Sequence, residues 1–249
     1  MNLPNEQQTW FEDWFDSPYY HLLYSNHDQQ EAEAFIGRLV KYLHPKPGAC
    51  LLDLACGKGR HSLALHKLGY DVTGIDLSPS SIEEAKKQEE EGLAFFEHDM
   101  RRPFMIHYFD GVLNFFTSFG YFSHMRDNRS VVEAVSKGLK PGGFFVIDFF
   151  NAQWVEKEIA KCAAGEKQAA GVTFSWNKKI VNRIIRKEIT VNDNGKEKRY
   201  AEFVQLLGEK DFDVLLADDF IIEKKFGDYD LSDFDPAASK RLILVARKR

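Results

Sequence analysis

The sequence predicts an α/β fold: a doubly wound, largely parallel sheet with helices on both faces and a small antiparallel sheet inserted late in the chain. Three observations lead there. Short apolar runs alternate with helical patterns from residue 45 to 150. The first run, 51–54, breaks at Gly57 and Gly59 and resumes as Leu63-Ala64-Leu65, the pattern of a buried strand, a tight turn and a helix start. Each of the first three runs carries a carboxylate at or near its end, and Asp53, Asp76 and Asp99 are spaced 23 residues apart. In a doubly wound sheet those ends line one crevice.

The elements follow in order. Residues 9–26 are dense in rings. Trp10 with Trp14 and Phe11 with Phe15 are i,i+4 pairs, so a short amphipathic helix is expected; Ser17 and Pro18 cap and open a second. A helix over 28–43 has Asp28 as its cap and Phe35, Ile36, Leu39 and Val40 on its apolar face. Pro45 and Pro47 stop it, and His44 reads as a helix-terminus residue. A helix over about 61–68 ends at Gly69, and Ser78-Pro79 starts another whose acids and lysines over 83–91 form a solvated face. Strands are expected at 71–76, 93–99, 109–116 and 144–149, with a helix over 127–139 before the last. Residues 172–206 break this rhythm and read as three antiparallel strands, 172–176, 179–191 and 196–206, with Asp193-Asn194-Gly195 as a hairpin turn. A helix at 210–217 and strands at 220–226 and 241–247 complete the chain.

Glycine lets backbone approach a ligand, and a helix N-terminus offers unpaired N–H donors, so the turn after the first strand suits a cofactor. The dinucleotide fingerprint G-x-G-x-x-G fits it poorly, because Ser62 stands where the last glycine belongs. A nicotinamide enzyme needs only the second acid. Three acids suit a ligand with a ribose, an adenine and a charged amino-acid tail.

On these residues the chain resembles the class I S-adenosylmethionine (SAM)-dependent methyltransferases. Asp53-Leu54-Ala55-Cys56-Gly57-Lys58-Gly59 is similar to their first motif, with Ala55 in place of the first glycine, a change that matters if the position requires φ > 0. Asp76 matches the ribose acid, Asp99-Met100 the adenine contact, and Lys140-Pro141-Gly142-Gly143 the turn into strand five. The resemblance covers roughly residues 45–150. It implies a Rossmann-like seven-stranded methyltransferase sheet, ending in an antiparallel strand inserted beside strand five. It also implies one domain over 1–249: an N-terminal helical lid at 1–44, a SAM-binding core at 45–150, the insert at 172–206 and the last two strands within 207–249. The cofactor is S-adenosyl-L-methionine, and its contacts are expected from Asp53, Ala55, Gly57, Gly59, Arg60, Asp76, Leu77, Asp99, Met100, Phe115 and Tyr20. Arg60 suits a carboxylate, and Tyr20 or Tyr24 suits a sulfonium.

The activated methyl group asks the protein mainly for orientation and desolvation, so no compulsory base is expected and no metal is needed. Candidates for contact with the acceptor are Tyr20, Phe119, Tyr121 and Asn151. The reading is methyl transfer to a small molecule by in-line displacement. The alternatives are an RNA methyltransferase that uses the insert, and a catalytically silent SAM-binding module. Between 177 and 199 eight basic residues (Lys178, Lys179, Arg183, Arg186, Lys187, Lys196, Lys198, Arg199) face three acids. They serve either as edge protection or as a patch for an anionic substrate or RNA.

The 249 residues carry 33 Lys+Arg against 38 Asp+Glu, a net −5 that argues against bulk-charge binding of nucleic acid. The odd count of three cysteines without a C-x-x-C pair suits a reducing compartment, and Cys56 reads as a packing residue. Residues 1–6 have no basic or apolar leader pattern, and no run reaches the roughly 18 apolar residues of a membrane span. The expectation is a cytoplasmic monomer or homodimer.

Overall fold

The computed structural model describes residues 10–24 and 29–249; the expected cap Asp28 and the segment 1–6 lie outside them. In chain order the elements are α1 (Trp10–Phe15), α2 (Pro18–Leu23), α3 (Gln29–Leu43), β1 (Cys50–Leu54), α4 (Arg60–Lys67), β2 (Asp71–Asp76), α5 (Pro79–Lys86), β3 (Leu93–Glu97), β4 (Phe109–Asn114), α6 (Met125–Gly138), β5 (Leu139–Phe150) and α7 (Ala152–Lys161). They continue as β6 (Ala164–Ala169), β7 (Val172–Val181), β8 (Ile184–Asp193), β9 (Lys196–Gln205), α8 (Glu209–Leu216), β10 (Phe220–Phe226) and β11 (Arg241–Lys248).

Seven strands form the main sheet in the order β10-β11-β5-β4-β1-β2-β3. β1 to β5 pair in parallel, whereas β11 runs antiparallel between β10 and β5, as the family resemblance implied. The central strands are near-continuous apolar runs because both faces are covered. One face is packed by Trp10, Trp14, Val131, Val135, Phe212 and Leu216, the other by Phe35, Ile36, Leu39, Leu65 and Ile82. The order reverses about β1, so the ends of β1, β2 and β4 open on a crevice at the switch point. Two predicted caps are present: Ser17 Oγ accepts from Tyr19 N at 3.3 Å, and Ser78 Oγ accepts from Ser81 N at 3.2 Å.

The insert differs from its sequence reading in two ways. It has four strands, ordered β6-β7-β8-β9, rather than three, and it begins at Ala164 rather than 172. The stretch 179–191 is not one strand. It turns at Asn182 and Arg183, both left-handed at φ 51° and 60°, so β7 and β8 form a hairpin with Val181 opposite Ile184. The second hairpin turn, Asn194-Gly195, has φ 50° and 80° as expected of that pair. No helix among the described residues is long and apolar enough to cross a membrane.

Candidate functional site

A cavity of about 440 Å³ opens at the switch point. Its floor is the turn after β1 (Ala55, Cys56, Gly57, Lys58), the end of β2 (Asp76, Leu77), Met100 after β3, and Phe115, Phe116, Ser118, Tyr121 and Phe122 after β4. Phe11, Phe15, Tyr20, His21 and Tyr24 from the two N-terminal helices form its roof.

The floor is built by backbone. Asp76 Oδ2 accepts from Gly57 N at 2.8 Å and Oδ1 from Ser78 N at 2.9 Å, which locks the first turn to the second strand end. Burial raises the Asp76 carboxyl above its ordinary range, against the pull of those N–H groups. Gly57 is left-handed at φ 55°, and a Cβ there would meet only open space, so the turn keeps a bare backbone edge. Ala55 is left-handed at φ 62°. The alanine therefore occupies a position that favours glycine, at a cost of about 1–2 kcal/mol. Phe116 and Thr117 are a second such place, at φ 62° and 61°.

Of the residues singled out in the sequence, Tyr20, Tyr24, Ala55, Gly57, Arg60, Asp76, Leu77, Met100, Phe115 and Tyr121 line this cavity. Asp53 does not. It lies buried behind the turn, accepts from Ser62 Oγ at 2.6 Å, and burial lifts its pKa to about 6. Gly59 caps α4, and a Cβ there would come within 2.6 Å of the Phe95 ring, so its role is close packing. Asp99 is not among the lining residues: burial would raise its carboxyl, but the Arg101 fork, at 2.7–3.0 Å, holds it below the ordinary range. Phe119 is fully buried against Phe212, ring centroids 5.7 Å apart, and makes no part of the wall. Asn151 caps α7 by accepting from Gln153 N, and donates to the carbonyls of Pro236 and Ser239. The expectation that Phe119 and Asn151 meet the acceptor is corrected on these grounds: both side chains are spent on the core and on a loop.

The roof is pinned on two sides. Asp16 Oδ1 accepts from Ser78 Oγ at 2.9 Å and Ser80 N at 3.0 Å, at the start of α5. On the other side Trp14 Nε1 and Tyr24 OH both donate to Glu202 Oε1 at 2.7 Å. Lys187 Nζ donates to Tyr24 OH at 2.7 Å and stands 3.5 Å from Glu202 Oε2. The insert does not lie across the cavity mouth. Instead it backs the roof helices, and none of its side chains lines the cavity. Its basic run is neither a free patch nor mainly edge protection. Lys187 is buried, Arg183 pairs with Asp211, Lys179 and Arg186 pair with Glu188, and Arg199 with Glu197. Only Lys196, Lys198 and Arg199 stand on an edge strand, β9.

Within the cavity Phe15 packs on Tyr20 at 4.9 Å and on Tyr121 at 5.0 Å, and Tyr20 on Tyr24 at 5.0 Å. Burial raises the phenols of Tyr20, Tyr24 and Tyr121, which stay neutral and serve as rings and hydrogen-bond donors. His21 was not anticipated. Its Nε2 is buried without a hydrogen-bond partner, and burial, with Lys58 nearby, lowers its pKa to about 4. An orphaned buried nitrogen in a cavity wall fits a site that a polar ligand completes. The only sequence signal was its place beside Tyr20 on the roof helix. The donor set fits the cofactor: an acid at a strand end for a diol, Leu77 and Met100 for a flat base, and rings for a sulfonium.

Known proteins agree. Residues 52–147 match the family model described as a methyltransferase domain. The chain is 28% identical over 178 residues, 69% of its length and 73% of the relative's, to dTDP-3-amino-3,4,6-trideoxy-alpha-D-glucopyranose N,N-dimethyltransferase of Streptomyces venezuelae. The fold is shared with a SAM-dependent methyltransferase of Clostridium acetobutylicum (TM-score 0.76, 20% identity, 92% of this chain and 95% of that one). It is shared too with SAM-bound CalS10, an amino pentose methyltransferase of Micromonospora echinaspora (TM-score 0.69, 20% identity, 94% and 98%). The family match over residues 52–147, the sheet order and the glycine turn under Asp76 together identify a methyltransferase domain on the class I S-adenosylmethionine-dependent methyltransferase fold.

Proposed function

We propose that the chain transfers a methyl group to an amine nitrogen of a small molecule by in-line displacement. The observation that carries this is the ring-built, roofed end of the cavity, where Phe15 packs on both Tyr20 and Tyr121 and Tyr20 packs on Tyr24. The faces of such rings favour a cationic or partly cationic guest. The relatives named above as an N,N-dimethyltransferase and an amino pentose methyltransferase support the same class of acceptor.

SAM supplies a methyl group already activated on a sulfonium. The chain's own residues bind, orient and exclude water. Asp76 is placed to accept from a ribose hydroxyl, Leu77 and Met100 to sandwich adenine, and Arg60 to meet a carboxylate. The turn after β1, Arg60 and the loop after β4 would hold the methionyl half. There the roof rings hold a nucleophile in line and keep water out. Tyr20, Tyr24 and Tyr121 remain protonated, so the nitrogen must arrive as a free amine, and the proton it sheds after transfer leaves to solvent.

The test is a screen with isotope-labelled SAM against a metabolite extract and matched pairs of amino and hydroxy sugars. Label entering the amine-bearing member of each pair supports the proposal. Label entering RNA or the hydroxyl member, or SAM binding without any turnover, overturns it.

A further inference from the structure

The loop that follows β4 carries a cost that the sheet does not need. Phe116 and Thr117 are consecutive and both left-handed, at φ 62° and 61°, and neither is glycine. Such backbone persists only where surrounding groups over-determine it. Here those groups are a buried ion pair. Phe116 N donates to Asp148 Oδ2 at 2.8 Å, and Thr117 N to the Asp148 carbonyl at 3.0 Å. Arg241 donates through Nε to Asp148 Oδ1 at 2.8 Å and through Nη2 to Thr117 Oγ1 at 3.0 Å. Tyr229 OH adds a donor to Asp148 Oδ2 at 3.1 Å. Asp148 is wholly buried at the end of β5, and Arg241 opens the antiparallel neighbour β11.

None of these side-chain bonds joins strand to strand through the backbone ladder; two of them, with the carbonyl bond, reach the strained pair. The product of that strain is the placement of Phe116, whose ring lines the cavity and faces the Arg60 guanidinium at 5.5 Å.

We propose that Asp148 and Arg241 are positioning residues: they hold the Phe116–Thr117 turn so that it bounds the space for the methionyl half of SAM, leaving the adenosine end untouched. This rests on the placement of the ribose at Asp76. A turn that is no longer held spends only part of its time in the competent shape, and apparent affinity falls by that fraction.

The test compares binding of SAM and of adenosine by calorimetry. Thr117→Val removes the hydroxyl that Arg241 holds but keeps a branched residue at positive φ. Thr117→Gly removes the same hydroxyl and the strain with it. Thr117→Val should weaken SAM by about tenfold, while Thr117→Gly stays within about threefold of wild type; adenosine should be unmoved in both. In an Asp148→Asn background, Thr117→Gly should recover several-fold of the lost SAM affinity. If Asp148→Asn does not fold, the Thr117 pair decides alone. Valine binding SAM as wild type does, glycine no better than valine, or SAM and adenosine weakening in parallel would each overturn the assignment. If Asp76→Ala leaves both ligands bound, the ribose placement has failed instead.

Discussion

Replacing Glu202 by alanine should cost this protein about 3–4 kcal/mol of stability and loosen the cavity roof. Glu202 accepts from Trp14 Nε1 and from Tyr24 OH, both at 2.7 Å, and stands 3.5 Å from Lys187 Nζ. The two charged side chains are only 12% and 9% exposed. Burial lowers the Lys187 pKa, and the Glu202 charge is what opposes that shift. Removing one partner of a buried pair costs about 3–5 kcal/mol. The residual exposure argues for the low end, and the Trp14 N–H, left without an acceptor, adds about 1 kcal/mol. Lys187 retains Tyr24 OH and the rings of Tyr24 and Trp176, at 4.7 and 5.1 Å. Truncating both ends should therefore be milder than truncating one: Glu202→Ala with Lys187→Met should recover about 1–2 kcal/mol relative to Glu202→Ala. Urea unfolding followed by tryptophan fluorescence reads this directly, because Trp14 is buried at the junction. A loss below about 1 kcal/mol, or a double variant less stable than Glu202→Ala, would refute the view that the insert braces the roof.

Three further outcomes follow from the structure. Asp53 has a folded pKa of about 6 against an ordinary 3.8, so the folded state holds the extra proton between those values and stability falls as pH rises through that window. Asp53→Asn should gain up to about 3 kcal/mol over wild type by pH 7.5 and little at pH 3.5, by denaturation at each pH; a pH-independent difference would contradict this. Ala55→Gly relieves a left-handed alanine and should raise stability by about 0.5–1 kcal/mol after the entropy of glycine is counted, with a lower unfolding midpoint as the opposing result. Gly111→Ala places a Cβ 2.1 Å from the buried Phe144 ring and should cost about 1–3 kcal/mol in the same assay; a neutral variant would show the ring free to move.

Where local chemistry decides a shape, the sequence announced it. Gly57, Asn194-Gly195, Ser17-Pro18 and Ser78-Pro79 each adopt the conformation their residue types favour. Where tertiary contacts override local preference, it did not. Asn182-Arg183 turns without glycine inside a run that reads as continuous strand. β6 was missed because Ala-Gly-Glu-Lys-Gln-Ala has no branched or aromatic residue, and β7 alone gives it a partner. Phe119 and Asn151 were placed at the crevice by their distance from strand ends. The left-handed turn at Phe116–Thr117 redirects the first into the core, and the loop before β11 claims the second. Asp99 was read as a cofactor contact from the family resemblance, and nothing in the sequence signalled that Arg101, two residues on, pairs with its carboxylate. Charge showed the same limit: a run of eight basic residues looks like a patch in sequence, yet most of it is paired or buried in three dimensions.

Everything about the site hangs on Asp76, which ties the glycine turn to the end of β2 and presents its carboxylate to the cavity. Calorimetric titration of the wild type and of Asp76→Ala with SAM and S-adenosylhomocysteine tests it most directly. The expected result is micromolar binding of both ligands to the wild type and a loss of at least about thirtyfold in the variant, some 2 kcal/mol, the scale of a hydrogen bond to a charged group. Equal affinity in the two proteins, or no binding of either ligand to the wild type, would contradict the account.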